Sequence, residues 1–285
     1  MSSTPGERSI TFAPEFDLSG RVILLTGAAG QIGSEVADAY LSYGATVVLS
    51  DVHEPAEMAA RAQQLADCHD NAATLGLQLD VRAPESVDRA FDAIDSTFGR
   101  LDILVNNAAI DAKFDANETL VEPTRFEEYP LELWERSVDV NLTGLLRVTQ
   151  SALRRMLAQR SGNIINVASS YALVSPNQSL YDFGAPGGQT FKPVDYVGTK
   201  SSIPNLTRYL ATLYGSENIR CNAIVPHGID NHHAEPFRKN FARLSPMARL
   251  CRVEELRGPF VFLASDASSY MTGSVLVVDG GWTAW

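Results

Sequence analysis

Short runs of aliphatic and β-branched residues recur along this chain, separated by longer stretches of helical period. The runs fall at 22–26, 46–50, 75–79, 103–106, 163–168, 219–225 and 275–278. Most are continuously apolar, as strands are when both faces are buried. Helical patterns cover 32–43, 84–98, 131–158, 196–215 and 253–264. Strand–helix alternation over a whole chain leaves one economical solution, a parallel sheet of about seven strands with helices on both faces. With 285 residues the chain can build one large α/β domain or two small ones. No break in composition marks a second domain. A polar arm over 1–19 and a single domain over 20–285 are therefore expected.

Composition excludes several classes of function. The formal net charge is −11, so nucleic acid and anionic membrane are poor partners, since both need a basic face. The three cysteines are scattered and form no CxxC, which argues for reduced thiols. No stretch approaches the length of a membrane span, and the first residues carry no apolar run flanked by basic ones. A cytoplasmic protein is expected. His227, His232 and His233 have no acidic partner at a recognised ligand spacing, so no metal is expected.

Two segments interrupt the alternation, 111–130 after the fourth strand and 171–194 after the fifth. Both follow C-terminal strand ends, the edge where open parallel sheets hold ligands. Loops of this length in a compact domain are usually functional. They are read as substrate loops.

The first strand runs into Gly27-Ala28-Ala29-Gly30-Gln31-Ile32-Gly33 and then a helix. Glycines at such a turn let the backbone approach a pyrophosphate, whose charge the helix N-terminus favours. Asp51 ends the second strand, where a carboxylate accepts the ribose hydroxyls of NAD and repels the 2′-phosphate of NADP. Asp80 and Val81 end the third strand, within reach of an adenine. Further on, Tyr196 and Lys200 stand at i and i+4 on one helical face. A free phenol titrates near pH 10, and an adjacent ammonium is the source of stabilisation that could bring it down. Tyr181 is the rival tyrosine. The residue four places after it is Ala185, not a lysine, so chemistry is assigned to Tyr196 and Tyr181 to a pocket wall.

With Asn106-Asn107-Ala108, Asn141, Ser169, Tyr196/Lys200, Pro226 and the Val278-Asp279-Gly280-Gly281 tail in order, residues 18–285 resemble the short-chain dehydrogenase/reductase family, single-domain branch. The resemblance implies a Rossmann-type doubly wound sheet and NAD(P)-dependent interconversion of an alcohol and a carbonyl. It makes Tyr196 the general acid/base and Lys200 its pKa-lowering partner. Ser169 would hold the substrate oxygen, and Asn141 would support a proton relay. The cofactor-binding set it implies adds Ala29, Val52, Ala109, Gly228 and Ile229 to the nucleotide residues above and to Asn107, Ala108, Tyr196, Lys200 and Pro226. A homodimer or homotetramer is also implied, with Trp282 and Trp285 expected against a neighbouring subunit.

The chain departs from the family pattern in places. Gly30 comes one position early, with Gln31 where a glycine is usual, and Ala109 replaces a glycine. His227 follows Pro226, and Asn231 stands where a threonine is common. Pro204 lies inside the catalytic helix and is expected to disturb the bond to the Lys200 carbonyl and bend the helix. In detail the chain is most similar to bacterial flagellin-modification and gluconate-dehydrogenase-like oxidoreductases. The expected substrate is a sugar, sugar acid or sugar derivative, bound by Asp111, Lys113, Ser169, Tyr181 and His227. A 3-oxoacyl thioester reductase and a redox-inactive NAD-binding regulator are the alternatives.

Overall fold

The computed structural model describes residues 13–70, 72–111, 125–182, 190–233 and 235–285. The chain builds β1 (Val22–Thr26), α1 (Gln31–Ser42), β2 (Thr46–Asp51), α2 (Pro55–Cys68), β3 (Thr74–Gln78), α3 (Pro84–Phe98) and β4 (Ile103–Asn106). It continues through α4 (Leu131–Val138), a π turn (Asp139–Gly144), α5 (Leu145–Gln159), β5 (Gly162–Val167), α6 (Val194–Tyr214), β6 (Ile219–Pro226), α7 (Glu235–Leu244), α8 (Arg257–Ala264) and β7 (Val275–Val278). The seven strands form one sheet in the order β3-β2-β1-β4-β5-β6-β7, and every pairing is parallel. This is the Rossmann-type doubly wound sheet.

Strand alternation explains the two layers. Ile23 and Leu25 of β1 face one way and pack with Val36 and Tyr40 of α1 and Phe260 of α8. Val22 and Leu24 face the other way, into Phe91 and Ile94 of α3 and Val148 and Met156 of α5. Each strand residue alternates between faces, so a strand buried on both must be apolar throughout. The order of strands reverses between β1 and β4, which run parallel and pair Leu25 with Val105. The crevice beyond their C-terminal ends is where this topology binds ligands.

Several elements differ from the sequence reading. Helices α2 and α7 were not among the segments read from the pattern. Each buries a narrow stripe, Met58, Ala62 and Ala66 in one and Phe237 and Phe241 in the other, too sparse to dominate the period. The stretch read as a helix over 131–158 is two helices joined by the π turn. That over 253–264 opens with a 3-10 turn, Val253–Leu256. The loop after β5 holds two 3-10 turns, Ser170–Ala172 and Gln178–Tyr181. Pro204 does not end α6, which runs on to Tyr214. Ile203 beside it is buried with Leu145, Ala168 and Val225, and such packing carries a helix past one missing bond. Trp282, expected at a subunit contact, is buried in its own chain, its ring stacked 5.0 Å from that of Phe241. Trp285 is exposed.

Candidate active site

At the β1–α1 turn Gly27 has φ +65, and a Cβ there would lie 2.8 Å from the Ala108 Cα. A Cβ on Gly33 would lie 2.2 Å from the Gly27 carbonyl oxygen. Neither position tolerates a side chain without moving the loop off its neighbours. Asn107 ties the turn to β4: its Nδ2 donates to the carbonyls of Thr26 (3.0 Å) and Gly27 (2.9 Å). The Asn107 and Ala108 amides donate in turn to Thr26 Oγ1. Helix α1 begins at Gln31 with Gly30 as its N-cap and no side chain capping it, so its first turn points bare N–H groups outward. Gln31 reaches across to the Asp230 carbonyl at 2.6 Å.

Asp51 lies beside this turn, accepting the Ala29 N–H (3.0 Å) and the Val52 N–H (2.8 Å). The basic side chains that follow β2, His53 and Arg61, both bond Glu57. Arg21, at the opposite end of β1, pairs with Asp266. Asp80, read as ending the third strand, lies two residues past β3, and both its oxygens are taken by Arg82, which holds its carboxyl below the usual range. Val81 is buried, and its carbonyl accepts from Arg147. Pro226 ends β6 opposite Val278. Gly228 and Ile229 follow it, bridged to Cys251. A glycine turn packed too closely for side chains, an uncapped helix end and a carboxylate one strand over fit a dinucleotide.

The four residues expected to carry the chemistry come together from three elements. Ser169 lies just past β5, Tyr196 in the first turn of α6 and Lys200 one turn later. Ser169 hydrogen-bonds the Tyr196 phenol. Lys200 Nζ donates to the Val167 carbonyl at 2.8 Å and lies 5.7 Å from the centre of the Tyr196 ring. Burial brings Lys200 down to about 8. The Tyr196 phenol is not lowered in the free protein. Burial first and the Asp111 charge next hold it above its ordinary value, against the Ser169 bond. Asp195 fastens this end of α6, accepting the Tyr196 N–H at 2.7 Å and the Ser137 hydroxyl. Asn141 sits in the π turn, and its carboxamide is fully used. It accepts from the Ile110 amide (2.8 Å) and donates to the Ile110 carbonyl and Thr199 Oγ1, both at 3.1 Å. It clamps the segment after β4 to α6.

Around this cluster lie the residues read as substrate-binding. The Tyr171 and Tyr181 hydroxyls bond each other at 2.8 Å. Tyr181 is buried and has a tyrosine, not a lysine, for its partner. His227 is buried with Nδ1 on Ser170 Oγ, and its ring lies 4.4 Å from that of Trp282. Burial brings it down to about 4, so it is neutral near pH 7. A cavity of about 110 Å³ beside it is lined by Phe241, Met247 and Cys251 and by none of the four catalytic candidates. Lys113 lies outside the described residues. The sequence reading missed Lys192. It is buried, with Nζ 2.5 Å from Asp111 Oδ2 and 4.3 Å from the centre of the Tyr196 ring. The signal was present, since lysines flank Tyr196 at both i−4 and i+4.

Comparison with known proteins shows the family of the chain. A family model described as enoyl-(acyl carrier protein) reductase matches residues 27–283. A cis-4-hydroxycyclohexanecarboxylate dehydrogenase from Sinomonas cyclohexanicum is 36% identical, over 93% of this chain and 97% of its own. A D-threitol dehydrogenase from Mycolicibacterium smegmatis is 34% identical over 97% of each. The crystal structure of a gluconate 5-dehydrogenase from Burkholderia cenocepacia, in complex with NADP and tartrate, superposes with a TM-score of 0.82. It is 27% identical, over 95% of this chain and 98% of that one. The chain belongs to the short-chain dehydrogenase/reductase family, whose members are oxidoreductases that use a nicotinamide cofactor.

Proposed function

We propose that the protein is an NAD-dependent dehydrogenase that interconverts a secondary alcohol and a ketone on a sugar, sugar acid or sugar derivative. The observation that carries this reading is Tyr196, hydrogen-bonded to Ser169, with the ammonium groups of two buried lysines 4.3 and 5.7 Å from its ring centre. NAD, when bound, supplies the hydride acceptor. Gly27, Ala29, Gly30, Gln31, Ile32 and Gly33 would hold its pyrophosphate, and Asp51 and Val52 the adenosine ribose. Asp80 and Val81 would stand by the adenine. Asn107, Ala108, Ala109, Pro226, Gly228 and Ile229 would serve the nicotinamide end, with Tyr196 and Lys200 at its ribose.

In the oxidative direction the Ser169 hydroxyl holds the substrate oxygen and the Tyr196 phenolate accepts its proton. The C–H electron pair leaves as hydride, and a C=O bond forms. Lys200 favours the phenolate by its charge. Asn141 keeps the segment after β4 in place against α6.

Two features support a hydroxyl-rich substrate. Around Tyr196 stand the Lys192–Asp111 ion pair and the bonded Tyr171 and Tyr181 hydroxyls. Such groups keep donors and lone pairs over for substrate hydroxyls, whereas an apolar chain laid against them would remove their water and offer no hydrogen bond in return. The D-threitol dehydrogenase named above is a relative whose name gives a polyol as substrate, and the hydroxycyclohexanecarboxylate dehydrogenase one whose name gives a cyclic hydroxy acid. Lys113 stays in the proposal as a contact for an anionic group, and the assembly stays a homodimer or homotetramer, readable by light scattering.

The test is a panel of polyols, sugars, sugar acids and cyclic hydroxy acids set beside β-ketoacyl thioesters and steroids, followed by reduced-nicotinamide absorbance. NAD-linked turnover of a hydroxyl-rich compound is expected. Turnover of a thioester or steroid alone would overturn the substrate class, and NAD binding without any turnover would favour a regulatory protein. The cofactor preference rests on Asp51. Equal use of NAD and NADP by the native protein, or no gain for NADP in Asp51→Ala, would sink it.

A further inference from the structure

Lys192 has no part in the scheme above, yet its Nζ is the ammonium nearest the centre of the Tyr196 ring, 4.3 Å away against 5.7 Å for Lys200. It is buried, and its partner is the Asp111 carboxylate at 2.5 Å. We propose that Lys192 is a second cation for the Tyr196 phenolate, and that its pairing with Asp111 sets the acidity of that phenol. The proposal rests on Tyr196 being the proton acceptor and adds a residue that positions charge around it.

Charge counting shows why the pair matters. Ionised Tyr196 and Asp111 carry two negative charges, and Lys192 and Lys200 carry two positive ones. Ionisation therefore brings the cluster, in which both lysines are buried and Asp111 is exposed, to neutrality. Without Lys192 the same ionisation leaves one negative charge in excess, with Asp111 at the solvent edge of the site. Asp111 opposes the phenolate, and Lys192, placed against both, cancels that opposition. Without Asp111 the two lysines would face the phenolate alone.

Other groups around Tyr196 do not take this role among the described residues. From the end of β5, Ser169 donates a hydrogen bond but no charge. From the 3-10 turns after β5, Tyr171 and Tyr181 are held neutral by burial, which raises both phenols. On α6, Asp195 is turned onto Ser137 and the Tyr196 amide. His227, which feels the Lys192 charge, is neutral above about pH 4.

Opposite shifts from the two halves of one ion pair are the signature. Lys192→Met should move the acid-side midpoint of the oxidation pH profile up by about one unit or more, and Asp111→Asn should move it down. Lys192→Arg should restore the native midpoint. Lower turnover at every pH with unmoved midpoints, or shifts of the same sign from both variants, would overturn the proposal. A second measurement needs neither substrate nor cofactor. The phenolate absorbance of the free protein is titrated in Asp111→Asn and in Asp111→Asn/Lys192→Met, each referenced to the same protein carrying Tyr196→Phe. Tyr196 should ionise at lower pH in the first than in the second. Equal titrations, including none in either, would overturn the proposal even if the panel finds a substrate. A clear difference would uphold it even if the panel finds none.

Discussion

Tyr196 is a phenol whose neighbours outweigh its own chemistry. Burial and Asp111 push its acidity one way, and Ser169 pushes it the other. The rival phenol, Tyr181, has its hydroxyl bonded to that of Tyr171. Tyr196→Phe is therefore expected to lower turnover by at least ~10²-fold with cofactor binding retained, while Tyr181→Phe keeps most activity. Steady-state rates and a nucleotide titration on both variants check this. His227 illustrates a different balance. Burial takes it from 6.5 to about 4, so the folded chain refuses a proton that the unfolded chain accepts. Stability from this group is complete above pH 6.5 and is lost as pH falls toward 4. The amount is on the order of 3 kcal/mol. Thermal melts across that window should fall less steeply for His227→Phe than for the native protein. Parallel slopes would count against the assignment.

At the scale of elements, the nucleotide crevice depends on how closely α1 approaches the turn before it. A methyl at Gly33 would stand 2.2 Å from the Gly27 carbonyl oxygen, with the Ala28 Cα 2.7 Å away. Both obstacles are backbone, so the loop and the helix must part to admit it. Gly33→Ala is expected to weaken nucleotide binding by about tenfold or more, a loss of roughly 1.4 kcal/mol, with the circular dichroism of the fold preserved. Calorimetric titration with NAD reads the change, and unaltered affinity would refute it. The π turn between α4 and α5 works in the same way. It sets Asn141 where one carboxamide meets both Ile110 and Thr199. Gly144 fits there because a Cβ would lie 2.5 Å from Val81 Cγ2.

Across the whole molecule one sheet joins every part of the site. Its seven strands bury apolar layers on both faces, and helices from both ends of the sequence share one of them: α1 and α8 pack against each other there, α1 over β1 and α8 over β5 and β6. No helix among the described residues is long and apolar enough to cross a membrane. Because one sheet is shared in this way, a single main cooperative transition is expected in denaturant. Circular dichroism and tryptophan fluorescence should coincide, since Trp282 is buried against the chain itself. Two separated transitions would point to a second folding unit within 20–285.

Much of this was legible in the sequence because it depends on local pattern. Continuous apolar runs mark strands buried on both faces, and three of them, β1, β4 and β7, are found at the residues read from the pattern. The glycine spacing marks the turn, and a tyrosine four residues before a lysine shares a helix face with it by the geometry of the helix alone. Tertiary structure decided what depends on neighbours distant in sequence. It alone brought Lys192 and Asp111, 81 residues apart, into one ion pair against Tyr196. It offset Asn141 through a π turn that no residue pattern announces, and let α6 run through Pro204 because packing around Ile203 holds it. It also committed Asp80 to Arg82 and folded Trp282 into its own chain. The reason is physical: a period of two or 3.6 residues is a property of the local chain, whereas the partner of a buried charge is chosen only when the sheet brings remote segments together.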